Sequence, residues 1–172
     1  NYPRDLDSVL TIMSKLIRGK KVKDELKNIP PSRVGMQCED SVVQSMEDGI
    51  YMRGSYQIKG NMVTINDLPL THTPKKYEEF LNKKEEINQV RNYTTDIVNI
   101  EIDFKQGTLD KIRAKASAES KDPIGDYLRL SAHLKEHFNY INEHGVIEHF
   151  ENAYGVLLRC FELNKKKYSL RI

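Results

Sequence analysis

One stretch, residues 62–81, limits the possible folds of this chain more than any other. Residues 63–66 alternate between apolar and polar side chains, which is the period-two pattern of a strand with one buried face. Pro69 cannot donate a hydrogen bond to a sheet, so the strand has to end before it. Thr73 followed by Pro74 is a typical helix start, because threonine can cap a helix and proline fits its first position. The stretch therefore predicts a strand, a turn and a helix in succession.

Similar patterns along the chain predict a fold of mixed helices and strands. The helix that starts at Pro74 carries an apolar face made of Tyr77, Phe80 and Leu81. A second strand is expected at 97–104, with its inward residues at Val98, Ile100, Ile102 and Phe104. Gly60-Asn61 and Gly145 each lie between β-rich runs and predict hairpin turns. Thr108 is expected to cap a short helix with Leu109, Ile112 and Ala116, and Asn152 to cap a longer one.

The chain opens with an expected helix that starts near Pro3 and ends at Gly19. Its apolar stripe is predicted to contain Leu6, Val9, Leu10, Met13, Leu16 and Ile17. Residues 20–31 are rich in lysine and acidic side chains and end in two prolines, so they are expected to form a surface connector.

Composition sets wide limits on function. The chain has 172 residues, of which 38% are apolar and 30% charged, so we expect a soluble globular domain. The net charge of +2 is too small to indicate nucleic-acid binding without local clustering. Cys38 and Cys160 have no metal-binding or redox spacing and are expected to be reduced thiols. The chain begins with Asn1, and we interpret it as a piece of a longer protein.

Two segments within residues 62–81 resemble those of a known family. The order TINDLP at 64–69 and KYEEFL at 76–81 is similar to the strand, E-L-P, W-T-x-x-Y-K-E-x-L helix segment of eukaryotic-type type IIA DNA topoisomerases. The chain departs from that pattern at His72, where the family usually has tryptophan. Further along, YLRLSAHLK at 127–135 resembles the family's V-F-K-L-x-T-S-L segment, and 138–150 resembles its hairpin with a central glycine.

The resemblance implies a fold and a domain layout. It implies an α+β fold, with a mixed, mainly antiparallel sheet and flanking helices, that ends in the start of a long helix. Residues 1–19 would be the helix that leaves the winged-helix domain, 20–151 the tower domain, and 152–172 the start of the coiled-coil helix. In that family the tower contacts the DNA duplex beside the site of cleavage.

Residues 129–135 contain alternating polar and cationic side chains, which share one face if this segment is a strand. The pattern alone favours an ordinary solvated face, whereas the resemblance implies contacts with DNA phosphates. The two lysines after Pro74 could also bind a phosphate, because the amide groups at a helix start attract anions. The predicted DNA-binding residues are Arg129, Ser131, His133, Lys135, His137, Lys75 and Lys76.

The resemblance also implies that catalysis lies elsewhere. The family cleaves DNA with a tyrosine that follows an arginine, binds Mg²⁺ through an acidic cluster, and hydrolyses ATP in a separate domain. None of these motifs is found in the sequence, so we nominate no catalytic residue and expect Mg²⁺ and ATP only in the parent enzyme. The expected partners are double-stranded DNA and the rest of a homodimeric topoisomerase core, with the fragment itself monomeric. The expected location is the nucleus, or a cytoplasmic viral factory for a viral parent.

Two other functions remain open from the sequence. The chain could be a non-enzymatic interaction domain whose basic strand binds an acidic partner. A zinc enzyme is a weaker alternative, because His133 and His137 are four residues apart but no further ligand completes a known spacing. Glu101 and Asp103 share a predicted strand face, which is more typical of solvated carboxylates than of an acid–base pair.

Overall fold

The computed structural model describes residues 2–114 and 120–169 of the chain. Its contacts divide the chain into two compact units. The first contains Asn1–Ser32, Glu47–Gly49 and Lys135–Ile172, and the second contains Arg33–Met46 and Ile50–Leu134. The mixture of helices and antiparallel strands, with a long helix near the carboxyl terminus, confirms the predicted α+β class.

Short helices and strands succeed one another along the chain. In order, they are α1 (Leu6–Ile17), α2 (Asp24–Lys27), β1 (Val42–Met46), β2 (Gly49–Arg53), β3 (Tyr56–Lys59), β4 (Met62–Ile65), α3 (Pro74–Leu81), β5 (Ile87–Asn92), β6 (Ile100–Phe104), α4 (Thr108–Ala114), α5 (Pro123–Tyr127), β7 (Ser131–Lys135), β8 (Phe138–Ile141), β9 (Ile147–Phe150) and the longer α6 (Ala153–Ser169). No helix within 2–114 and 120–169 is long and apolar enough to cross a bilayer.

A four-stranded antiparallel sheet, in the order β3-β4-β6-β5, is the centre of the second unit. The predicted hairpin is confirmed, since Lys59 pairs with Met62 across the Gly60-Asn61 turn. Gly60 has a φ of +61°, a conformation that glycine adopts without steric cost. Strand β5 was not predicted, because its residues lie in a charged run that hides the weak alternation of Ile87 and Val90.

Strand β6 supplies the centre of the core. Ile100, Ile102 and Phe104 are at most 1% exposed, while the residues between them are half-buried, as the alternation predicted. Tyr77 and Leu81 of α3 pack into the same cluster. Full burial of one such side chain stabilises the fold by about 1.5–3 kcal/mol. This core therefore holds α3 firmly against the sheet.

The start of α3 and the loop before it follow the prediction with one difference. Thr73 is the N-cap and Pro74 opens the helix, but the threonine side chain makes no capping hydrogen bond. The loop is instead fixed at Asp67, which is 1% exposed and accepts hydrogen bonds from the Cys38 amide at 2.7 Å and the Ser41 hydroxyl at 2.6 Å. A Cβ atom at Gly54 would collide with the Asp67 carbonyl, so glycine is required there.

The first unit corrects the sequence interpretation of the opening helix. Helix α1 begins at Leu6, and the Asp5 carboxylate caps it by accepting a hydrogen bond from the Ser8 amide at 2.8 Å. Pro3 lies before the helix, so the predicted start was wrong. Ile12, which the predicted stripe omitted, is fully buried, whereas Leu6 is 66% exposed. The predicted stripe therefore mixed inward and outward residues.

The segment predicted as a surface connector is partly core. Val22 and Ile29 are 4% and 3% exposed and pack with Ile12, together with Tyr154 and Leu157 of α6. The lysines of this segment are largely exposed, which is why its composition suggested a solvated connector.

Near the carboxyl terminus the structure confirms a hairpin and a long helix. Strands β8 and β9 pair around Gly145, whose φ is +76°. The Asn152 side chain accepts a hydrogen bond from the Gly155 amide at 3.0 Å, as a helix cap does. Arg159 of α6 contacts both carboxylate oxygens of Glu148 on β9, at 2.8 and 3.0 Å. The hairpin is therefore tied to the helix that follows it.

The first unit also contains a nearly buried ion pair. Arg4 contacts the Glu136 carboxylate, and their side chains are 13% and 5% exposed. The same carboxylate accepts a hydrogen bond from the Tyr2 amide at 3.3 Å, and the Arg4 guanidinium lies 5.3 Å from the Phe138 ring centroid. The ion pair thus joins residues 132 positions apart in the sequence.

Candidate nucleic-acid interface

Arg129, the first residue of the predicted cationic strand, lies outside the strand. The chain forms the short helix α5 up to Tyr127, which the sequence interpretation missed, and β7 begins only at Ser131. The Leu130 amide donates to the Gly125 carbonyl at 2.8 Å and the Arg129 amide to the Asp126 carbonyl at 3.0 Å. This pair of bonds defines a Schellman motif, with Arg129 at its left-handed position.

The backbone of Arg129 is unusual for its residue type. Its φ of +53° is the only positive value at a non-glycine residue in the described part of the chain. A left-handed conformation costs an ordinary L-residue roughly 1–2 kcal/mol, which is why glycine is usual at this position. Two tertiary hydrogen bonds flank it: the Tyr77 hydroxyl donates to the Leu128 carbonyl at 2.6 Å, and the His72 ring lies 3.3 Å from the Arg129 carbonyl.

The remaining predicted residues of this segment occupy β7 and its end. Ser131 is half-buried, whereas His133 and Lys135 are exposed and alternate with partly buried residues along the strand. His137 is also exposed, but it follows the strand. Lys135 and His137 are assigned to the first unit, and the other predicted contacts to the second. The common strand face therefore contains Ser131, His133 and Lys135, without Arg129.

Lys75 and Lys76 lie in the first turn of α3, and both are exposed. The backbone of this turn is anchored to the core, because the next residue, Tyr77, is only 3% exposed. The backbone amides of a first helical turn attract anions, and these two ammonium groups add to that field. The Thr73-Pro74 helix start had predicted this placement of the two lysines in the first turn.

A cation that the sequence interpretation did not select lies beside Arg129. The Lys84 ammonium is 3.7 Å from the centroid of the Tyr127 ring and 4.8 Å from that of Phe80. The Arg129 guanidinium is 4.9 Å from the same Phe80 centroid. We call these two cations, on the rings of Phe80 and Tyr127, the stacked cation pair. The only sequence signal for Lys84 was the Lys83-Lys84 dipeptide, which does not indicate a site.

The electrostatics of the stacked cation pair agree with its geometry. Partial burial lowers the pKa of Lys84, the carboxylate of Glu86 acts in the opposite direction, and the charge of Arg129 lowers that pKa further. The Tyr127 hydroxyl donates a hydrogen bond to Glu86 at 2.9 Å. Burial, followed by this bond to a carboxylate, raises the pKa of Tyr127 to about 12. The Lys84 ammonium thus lies near a second cation, Arg129, as well as near the carboxylate of Glu86.

The residues considered as metal ligands do not form a centre in the described ranges. Across 2–114 and 120–169, no three His, Cys, Asp or Glu side chains are grouped so that they could hold a metal ion. Glu101 and Asp103 are half-buried on β6, where they alternate with core residues. Of the helix predicted after Thr108, residues up to Ala114 are helical, and Ala116 lies outside the described residues.

Comparison with known proteins gives one consistent result. No protein-family model matches the chain. It is similar to viral type II DNA topoisomerases, and the similarity covers 71% of the chain. The DNA topoisomerase 2 of African swine fever virus, strain Badajoz, is 27% identical over 130 residues, as is that of a tick isolate from Pretoriuskop, South Africa. A Malawi tick isolate has an enzyme of the same name that is 26% identical.

The matched region is a small part of these relatives. The chain spans 11% of their length. The similarity supports a relationship between this chain and the type II topoisomerases.

Proposed function

We propose that this chain is the tower segment of an ATP-dependent type IIA DNA topoisomerase. In this role it contacts the flank of the duplex that the enzyme opens and helps to bend it, without cleaving it. The observation that carries the proposal is the similarity to DNA topoisomerase 2 over 130 residues. The exposed cations on α3, in the turn at Arg129 and on β7 add the chemistry that DNA binding needs.

The proposed contacts are with phosphates. Arginine can pair with two phosphate oxygens at once, and lysine and histidine supply single donors. The contact residues are Arg129, Ser131, His133, Lys135, His137, Lys75 and Lys76. Contacts of this kind fix a protein on a duplex but do not read its sequence. The segment should therefore bind DNA of any sequence.

Phosphate contacts beside a bend also have an energetic role. Smooth bending of a 20–30 base-pair site by 40–90° costs of order 1–6 kcal/mol, and extra backbone contacts offset that cost. In the proposed parent enzyme, a homodimer, the tower supplies these contacts. DNA cleavage, Mg²⁺ binding and ATP hydrolysis belong to other domains, and the parent acts in the nucleus or, for a virus, in a cytoplasmic factory.

The first experiment is a binding titration with a fluorescent mixed-sequence duplex at several salt concentrations. For a phosphate-binding tower, log K should fall linearly with log salt, with a slope near −0.9 for each phosphate contacted. A second duplex of different sequence should bind equally well. A weak salt dependence, or a strong sequence preference, would contradict the proposal.

A charge-reversal variant tests the residues. Arg129→Glu combined with Lys135→Glu should weaken binding without unfolding the protein, because both side chains are exposed. The matched control reverses Lys59 and Lys111, two lysines outside the predicted set. Equal losses in both variants would show that only net charge matters. Unchanged DNA binding in the first variant, together with binding to an acidic protein, would favour the alternative interaction domain.

A further inference from the structure

The stacked cation pair has a geometry that an ordinary pair of surface cations lacks. The two cations and the two rings belong to the second unit: Phe80 lies in α3, Lys84 in the turn after it, Tyr127 at the end of α5 and Arg129 in the turn that follows α5. Long cationic side chains normally move among many rotamers, and holding them costs conformational entropy. In this pair the aromatic rings hold both cations, because a ring face attracts positive charge.

The backbone beneath each cation is also fixed. The Lys84 amide donates to the Leu81 carbonyl at 3.0 Å, and the Lys84 carbonyl accepts from the Ile87 amide at 3.2 Å. On the other side, the Schellman bonds and the Tyr77 hydroxyl hold the turn that contains Arg129. The cations are therefore positioned before any ligand arrives.

The residue type at 129 is a second, independent observation. Glycine would occupy a left-handed helix end with less strain, yet the chain has arginine there. Backbone strain of this kind persists only where the surrounding structure enforces it, and strained residues cluster at functional sites. Arg129 is an exposed residue, so its side chain is accessible to a ligand.

We propose that Lys84 and Arg129, held on Phe80 and Tyr127, form a preorganised binding site for the phosphodiester backbone of a nucleic acid. This inference rests on the proposed function and adds Lys84, Phe80 and Tyr127 to its contacts. The planar guanidinium offers paired donors to phosphate oxygens, and the ammonium adds a point charge beside it. Glu86 opposes the site, since its carboxylate repels the same anion.

Adjacent lysines provide a matched test by fluorescence anisotropy with a mixed-sequence duplex. Lys84→Gln should lower the affinity at least fivefold, and Lys83→Gln, which removes the same charge from an exposed neighbour, less than twofold. Lys84→Met keeps an unbranched stem over the rings and should behave like Lys84→Gln. Glu86→Gln should raise the affinity. Equal effects of the two glutamine variants at 83 and 84 would overturn the site.

A second arm separates this inference from the proposed function. Suppose that the wild-type chain binds duplex DNA, but the Lys84 variants lose no more affinity than the Lys83 control. The proposed site is then wrong, and the proposed function stands. If the wild-type chain binds no duplex, pyrophosphate is titrated while the side-chain NMR signals of Lys84 and Arg129 are followed. Shifts of both signals would support the anion site and contradict the tower function; constant signals would overturn both.

A competitor defines the class of ligand. Poly-glutamate should displace the duplex only at far higher concentration, because carboxylates lack the charge density of a phosphate backbone. Displacement at equal charge concentration, lost in Lys84→Gln, would assign the site to an acidic protein and overturn the nucleic-acid proposal.

Discussion

The left-handed turn at Arg129 allows a sharp test by substitution with the two smallest residues. Arg129→Gly removes a strain of about 1–2 kcal/mol, because glycine has no Cβ atom. It also loses a ring contact of about 0.5–1 kcal/mol and adds about 0.4–1 kcal/mol of unfolded-chain entropy. These terms nearly cancel, so the glycine variant should stay within about 1 kcal/mol of the wild type.

Arg129→Ala should behave differently, because alanine keeps the strain and loses the ring contact. We expect its free energy of unfolding to be lower than that of the glycine variant by about 1 kcal/mol. For a chain of this size, such a difference corresponds to about 2–4 °C in Tm. Thermal and urea unfolding followed by far-ultraviolet circular dichroism would measure it.

Arg113 supplies the control, because it lies near the end of α4 with ordinary helical geometry. There the order should reverse, with the alanine variant more stable than the glycine variant by about 0.5–1 kcal/mol. If alanine is also the better residue at 129, the turn is not left-handed. Backbone strain would then be no reason to assign a role to the arginine side chain.

Three further predictions concern stability. Glu136→Gln leaves the charge of Arg4 buried without its partner, so urea unfolding should show a loss of about 3–5 kcal/mol; a loss below 1 kcal/mol would mean that the pair is solvated. Ile102→Ala, at a fully buried site in the central sheet, should cost about 2–5 kcal/mol by the same measurement, and a cost near zero would contradict the assigned core. Tyr127 has a pKa raised from 10 to about 12, so its stabilising contribution is complete below pH 10 and is lost as the pH rises through 12. The fall of Tm in that window should be smaller in Tyr127→Phe, and an unchanged fall would exclude this tyrosine as a source.

Local sequence patterns predicted much of the second unit. The alternation in β6, the Gly60-Asn61 hairpin and the start of α3 at Pro74 all depend on residues close together in the chain. Their geometry follows from backbone chemistry and from the period of the buried side chains. For this reason the α+β class could be inferred without any knowledge of long-range contacts.

Features that depend on distant neighbours could not be predicted. Helix α1 carries apolar residues on two adjacent stripes, and packing against distant residues such as Val22, Ile29 and Leu157 determines that Ile12 faces inward while Leu10 stays exposed. The turn at Arg129 contains no glycine that would mark it in the sequence. Arg129 therefore looked like part of the alternating pattern of β7.

The candidate site shows the same division between local and distant information. The sequence selected Lys75, Lys76 and Arg129 by charge, spacing and resemblance, and their binding role stays a prediction. Lys84 became a candidate only when the fold brought it to the ring of Tyr127, which is far away in the sequence.

The layout of the first unit has a consequence for synthesis on the ribosome. Its amino-terminal and carboxyl-terminal parts flank the second unit in the sequence. Arg4 cannot form its ion pair until Glu136, which is 132 residues further along the chain, has been synthesised. At about 5–20 residues per second, that delay is roughly 7–26 s. Most of the second unit emerges in this interval, so it can fold while α1 still lacks the helix that covers Ile12. The first unit thus begins to emerge before the second unit but is completed after it, and a nascent chain stalled before α6 would present helix α1 to chaperones.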